Sequence, residues 1–315
     1  MRRRNDPSAG GHAGDQVFAG SLTLFGGGVL VVFGLIVLVC VQLSRPAFAK
    51  IGFFHFLAGS DWNPVEDSFG ALPFIYGTLV TAAIAIVVAV PVSIGLALFL
   101  TEMAPARVRR VVGFFVELLA GIPSVVYGLW GLMVLVPLLR SSVQPALGKA
   151  FGFVPLFSGP PLGLGYLAAG LILAIMILPT IASVSVEVLR TMPSSLREGA
   201  LALGATRWEA IRMAVLPYAR RGMLGAVMLG LGRALGETMA VTMLIGNQPE
   251  IHASLFAPGY SLASVIANEY AEATGAIHPG ALTGLALVLF GVTLLLSASA
   301  RLLVRLSTGQ LRSAA

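Results

Sequence analysis

RTMPSSLREGALALGATRWEAIRMAVLPYARRG, residues 190–222, is a charged stretch between two apolar runs, and it reads as built structure. Ser195-Leu196-Arg197-Glu198 has the capping-box pattern, in which the serine side chain accepts from the backbone N–H three residues on and the glutamate reaches back. That predicts a short helix to about Leu203, with Gly204 in the left-handed position after its end. Thr206-Arg207-Trp208-Glu209 repeats the pattern at once. A second helix is expected to run to Leu216 and stop at Pro217. Leu196, Ala200, Leu203, Ile211 and Val215 give the two helices faces to bury, and their charged neighbours keep the pair out of a bilayer. Such an elbow suits docking into a groove of another protein. An ordinary surface loop with good caps has the same spacing.

Outward from the elbow the chain is apolar. Of its 315 residues 57% are hydrophobic and 11% are charged, against about 25% charged in soluble domains. The mean hydropathy is +0.90. A membrane helix needs about 20 mostly apolar residues, and six stretches qualify: 18–43, 74–100, 112–139, 163–189, 223–247 and 281–303. The expected class is therefore an all-α polytopic membrane protein with six transmembrane helices. Its transmembrane domain spans 18–305, between a disordered cytoplasmic tail at 1–17 and a short cytoplasmic tail at 306–315. Arg2–Arg4 and Ala47-Phe48-Ala49 mimic a cleaved leader, but the apolar run from Leu22 to Val41 exceeds the 7–15 residues of a leader's core, so a retained helix is expected.

Charge sets the orientation. With the N-terminus in the cytoplasm, the inner segments carry Arg2–Arg4, Arg107, Arg109, Arg110, Arg190, Arg197, Arg207, Arg212, Arg220, Arg221, Arg301, Arg305 and Arg312. The outer ones carry Arg45, Lys50, Arg140 and Lys149. That bias of 15 to 4 obeys the positive-inside rule and predicts both termini inside. It also accounts for the net charge of +6 without nucleic acid. The single cysteine, Cys40, and four scattered histidines give no disulfide or metal-site spacing.

Glu198-Gly199-Ala200, then Gly204, then Leu216-Pro217 resembles the EAA signature of ABC-importer permeases. Gly199 departs from it, as does Ala214 where isoleucine is usual. The resemblance implies the permease (MetI-like) fold, with 190–222 as the loop that couples the membrane helices to a nucleotide-binding subunit. Gly121-Ile122-Pro123-Ser124-Val125-Val126-Tyr127-Gly128, Gly232-Arg233-Ala234-Leu235-Gly236-Glu237-Thr238-Met239-Ala240 and Ile245-Gly246-Asn247 are similar to phosphate-transporter permeases. The segments Asp61-Trp62-Asn63-Pro64, Gly70-Ala71-Leu72-Pro73, Ser254-Leu255-Phe256 and Asn268-Glu269 resemble the PstC type more than the PstA type. The implied partners are a second, PstA-like permease, two PstB-like ATP-binding subunits, a PstS-like extracytoplasmic phosphate-binding protein and phosphate itself. The implied location is the cell inner membrane.

The sequence has no G-x-x-x-x-G-K-[ST]; Gly148-Lys149-Ala150 lacks both the hydroxyl residue and the earlier glycine. The expectation is a transport subunit that binds no cofactor, with ATP and Mg²⁺ used by a partner. Arg233 and Glu237 fall inside the fifth span, where a charge is costly and normally faces a bundle interior or a watery path. Four residues apart, they share a helical face and lie close enough to pair. The residues alone leave open a phosphate-binding fork on Arg233 and a structural ion pair; the family resemblance makes both positions transport-relevant. Glu117 is expected near the inner end of the third span. Two other classes fit these residues less well. An ion-driven secondary transporter fits poorly with the elbow and with so few intramembrane carboxylates. A membrane enzyme predicts clustered His, Asp or Ser, which the sequence lacks. Sulfate or molybdate remains an alternative cargo.

Overall fold

The computed structural model describes the backbone of residues 11–309 and the side chains of residues 14–302. Twelve helical elements appear there. α1 is Gly11–Ile51 and α2 is Phe53–Ala58. A two-strand antiparallel hairpin follows, β1 Trp62–Asn63 and β2 Ser68–Phe69, in the register Trp62↔Phe69. α3 is Leu72–Leu98, extended by a π turn at Phe99–Met103. α4 is Ala106–Ala120, α5 Ser124–Phe151 and α6 Tyr166–Arg190. The elbow holds α7 Ser194–Ala202 and α8 Arg207–Ala210. α9 is Leu216–Leu235, α10 Met239–Thr242, α11 Leu262–Glu269 and α12 Ile277–Gly309. The tail expected at 1–17 is helical from Gly11, because no proline interrupts the run before Pro46 and propagating a formed helix is cheap. Residues 1–10 and 310–315 lie outside the described residues.

α6 is the axis of the bundle. Its buried residues run from Tyr166 to Leu189 on nearly every face, so it reads as apolar all round. α3 and α9 lie against it, and α1 packs on α12, where Phe33 and Phe290 meet at 4.9 Å. α1 exposes Phe18, Leu24, Phe25, Leu30 and Val31, an apolar surface too large for water and ordinary for lipid.

Among the described residues five helices are long and apolar enough to cross a membrane: α1, α3, α5, α6 and α12. The third expected span, 112–139, begins later than drawn. Gly121-Ile122-Pro123 turns the chain between α4 and α5, and α4 is an amphipathic helix that leaves Phe114, Phe115 and Glu117 exposed. Glu117 therefore lies ahead of the span.

The fifth expected span, 223–247, is not one helix. α9 stops at Leu235, residues 236–238 break the ladder, and α10 is a single turn. The chain then returns irregularly to α11, and its carbonyls serve the start of α6. The N–H groups of Gly165, Tyr166 and Leu167 donate to the carbonyls of Leu244, Ala257 and Leu255 at 2.9, 3.2 and 2.9 Å. A helix N-terminus leaves its first amides without internal partners, and non-helical backbone at membrane depth survives only when protein buries it. Each need answers the other.

Prolines are absorbed by local widening. Pro137, Pro145 and Pro217 each stand two residues after a π turn, at Gly131–Leu135, Leu139–Val143 and Ile211–Val215. Leu216 N–H donates to Ile211, five residues back, which eases the clash a proline ring makes with the preceding turn. The elbow's second helix thus runs through Pro217 into α9, where the sequence predicted a stop.

At the end of the bundle away from the elbow, Gly77 lets α3 approach the segment before α11. A Cβ there would overlap the backbone carbonyl of Tyr260. Gly77→Ala is expected to destabilise the protein by about 1–3 kcal/mol, read as a lowered Tm in detergent.

Candidate functional site

Elbow geometry follows the sequence closely at its hinge. Leu203 ends α7 and Gly204 takes φ +86°. Gly204 N–H donates to Leu201 at 3.0 Å and Ala205 N–H to Ala200 at 3.2 Å, the paired bonds of a Schellman motif. Thr206 then caps α8. Its hydroxyl accepts from Glu209 N–H at 3.3 Å, and the Glu209 carboxylate accepts from Thr206 N–H at 2.7 Å and its hydroxyl at 2.8 Å. Those donors, backbone first, hold the Glu209 carboxyl below the usual range. The box expected at Ser195 does not form. Pro193 sits at the N-cap and Ser195 is already inside the first turn, without a side-chain cap bond.

Glu198 and Gly199 are exposed, Ala200 is half-buried, and Leu216 and Pro217 open α9. Ile211 and Val215 are buried beneath the elbow with Leu100, Ala104, Val186 and Leu189. Leu203 is 91% exposed and Trp208 64%, so the elbow's outer apolar face has no partner among the described residues.

Two contacts were not visible in the sequence. Arg197 Nη2 donates to Glu102 Oε1 at 2.5 Å, tying α7 to the end of α3. Arg109 of α4 caps the same end, with Nε on the Leu100 carbonyl at 2.8 Å and Nη2 on those of Thr101 and Ala104 at 3.4 Å each. Helix C-terminal carbonyls attract cations. Glu102 and Arg197 lie 95 residues apart, beyond any local spacing rule.

Arg233 and Glu237, spaced closely enough to pair, do not. Both are half-buried, and no ion pair joins them among the described residues. The break at Gly236 takes Glu237 off the ladder that would have stacked it over Arg233. Arg233 Nη1 instead donates to Thr180 Oγ1 of α6 at 3.2 Å, and Glu237 Oε1 accepts from Ala240 N–H at 3.3 Å, fastening the start of α10. The guanidinium is held at one corner, with donors to spare for a planar oxyanion. Gly246 and Asn247 follow with φ +93° and +52°. Asn247 Nδ2 donates to Thr242 at 3.0 Å, and its Oδ1 is buried without a partner. Gly232 is exposed, and a Cβ there would meet nothing among the described residues.

At the far end, a polar cleft of roughly 700 Å³ is lined by Asp61, Glu66, Ser68, Glu250 and His252, among others. Beside it Trp62 Nε1 donates to Glu269 Oε2 at 2.9 Å, locking the hairpin to α11.

Residues 89–309 match the family model described as "Binding-protein-dependent transport system inner membrane component". A protein named phosphate transport system permease protein PstC from Mesorhizobium japonicum is 51% identical over 277 residues, covering 87% of this chain and 84% of the relative. One of the same name from Pasteurella multocida is 49% identical over 282 residues, covering 87% and 88%. Among solved structures, a bacterial ABC transporter involved in alginate import superposes with a TM-score of 0.61 at 19% identity, covering 93% of this chain and 98% of that one. The inward-facing MetNI methionine ABC transporter gives 0.53 at 21% identity, covering 74% and 91%. These two share its fold.

Two measurements check the elbow. Gly204→Ala places a Cβ in left-handed backbone at a cost of about 1–2 kcal/mol, so hydrogen exchange across 198–206 is expected to accelerate about tenfold. Glu209 is expected to titrate below a free glutamate, and Thr206→Ala to move its midpoint up. With the folded value depressed, the cap's stabilisation is present above the unfolded value and is lost as pH falls through the folded one.

Proposed function

Because this chain belongs to the binding-protein-dependent transport system inner membrane components, and within them to the PstC permeases, we propose that it is a membrane-spanning permease subunit of an ABC importer for inorganic phosphate. The carrying observation is near-half identity to PstC proteins along almost the whole chain. It is a multi-pass inner-membrane protein; the elbow end is assigned to the cytoplasm, with both termini, because that topology gives the inner segments 15 of the 20 basic residues in the sequence.

Each site residue then takes a role. Arg233 offers its free guanidinium corners to phosphate oxygens, while Thr180 steadies it. Glu237 shapes the break, and its second oxygen, which accepts no bond among the described residues, accepts a hydrogen bond from a protonated phosphate. Contacts this sparse suit a path that must release its cargo. The elbow, with Glu198, Gly199, Ala200, Gly204, Leu216 and Pro217, docks by its exposed Leu203 and Trp208 in a cleft of an ATP-binding subunit. That subunit, present twice, binds and hydrolyses Mg-ATP. A second, PstA-like permease closes the path against the exposed face at Gly232. The acidic far-end cleft and the locked hairpin form the docking face for an extracytoplasmic phosphate-binding protein. Closure of the ATPase pair drives the elbows together and opens the path outward; hydrolysis returns it inward.

The test is uptake of labelled phosphate at low external phosphate, in cells lacking the gene and its redundant systems and in the same cells restored with it. Restored uptake should resist unlabelled sulfate and molybdate. Arg233→Gln should lower it by about tenfold or more at equal protein level. Uptake indifferent to the gene refutes the phosphate reading, and block by sulfate or molybdate moves the cargo to those oxyanions.

A further inference from the structure

We propose that Glu102 is a positioning residue for transport, the point where motion of the elbow enters α3 through the Arg197–Glu102 ion pair. This rests on the importer reading above. Among the described residues this is the one ion pair that joins the elbow to another element. The Glu102 side chain is 6% exposed and that of Arg197 38%. Exposed ion pairs hold weakly, but breaking a pair with a buried member strands a charge in a poor solvent. The Arg197 Nε is buried and has no partner among the described residues, so the Glu102 carboxylate is the guanidinium's one carboxylate contact there.

The far side of the tie is stiff. Glu102 sits in the π turn that ends α3, and Arg109 of α4 holds the carbonyls on either side of it. A pull on Glu102 therefore moves α3 and α4 as one body. α3 packs along α6, where Ser93 Oγ donates to the Leu178 carbonyl at 3.0 Å, two residues before the Thr180 that holds Arg233. The elbow's other attachment, through Ile211 and Val215, is apolar. Apolar contact is non-directional and tolerates sliding; the ion pair is directional and transmits displacement.

The experiment uses the complete transporter in proteoliposomes, with phosphate moved and ATP hydrolysed measured in the same vesicles. Glu102→Gln is expected to cut phosphate moved per ATP by about tenfold, while hydrolysis stays within about twofold. Glu102→Asp, and the exchange Glu102→Arg with Arg197→Glu, should regain most of the ratio. An unchanged ratio in Glu102→Gln overturns the proposal. So does a parallel loss of transport and hydrolysis that the exchange does not repair. A second readout is independent of cargo. In a Cys40→Ala background, spin labels at Val92 of α3 and Leu294 of α12 should change separation when ATP is added. That change should vanish in Glu102→Gln and return in the exchange; a change that persists in Glu102→Gln overturns the proposal. Wild-type vesicles that hydrolyse ATP without moving phosphate refute the cargo, and the spin labels then decide the tie.

Discussion

In an apolar solvent a backbone amide without a partner costs several kcal/mol, and the pairing of α6's first amides with the returning segment depends on that cost. Gly165, Tyr166 and Leu167 find their acceptors in Leu244, Ala257 and Leu255. The same bonds satisfy carbonyls of the irregular segment that returns from α10 to α11. With that segment pinned, α9 cannot continue past Leu235, and the break at 236–238 is where Arg233 and Glu237 part company. The charged site is thus a by-product of how one helix start is satisfied.

The two ends of the bundle are built differently. The far end is sealed by aromatic packing, with Trp62 edge-on to Phe69 and Phe74 and Tyr260 so buried that its phenol is pushed up to about 12. The elbow end has a smaller apolar cluster and is fastened by arginines, Arg109 onto carbonyls and Arg197 onto a carboxylate. A sealed cap resists shear in every direction, whereas a few polar fastenings leave defined axes of motion. That contrast fits a device driven from one end.

Legibility in the sequence followed the range of the interactions. Gly204 and the Thr206–Glu209 box were readable because their partners lie within five residues. The apolar runs of α1, α3, α6 and α12 were readable because lipid selects composition alone. The Ser195 box failed because Pro193 had already started the helix, a competition among neighbours that the motif does not encode. The Arg233–Glu237 pair failed because the i,i+4 rule presumes an unbroken helix, and Gly236 breaks it. The start of the third span was misplaced because hydropathy does not separate an amphipathic helix at the surface from one that crosses. Thr180, Glu102 and Arg109 were missed because each partner is set by packing between distant segments or by a helix end whose place was unknown.

The π turns carry a consequence for how α5 meets its surroundings. A π turn adds one residue to a helical circuit, and one residue is about 100° of rotation. Two of them within Ser124–Phe151 turn the helix's second half by roughly 200° relative to an uninterrupted α-helix. Its inward stripe therefore changes phase towards its end: Tyr127, Gly128, Gly131, Leu135 and Leu139 keep one face, and Gln144, beyond the second π turn, joins them from another phase. A fixed-period wheel drawn over the whole span would put buried Gln144 roughly opposite the other five. Single-residue insertions or deletions here act as phase shifts, so relatives of this chain can re-aim half a membrane helix without changing its composition.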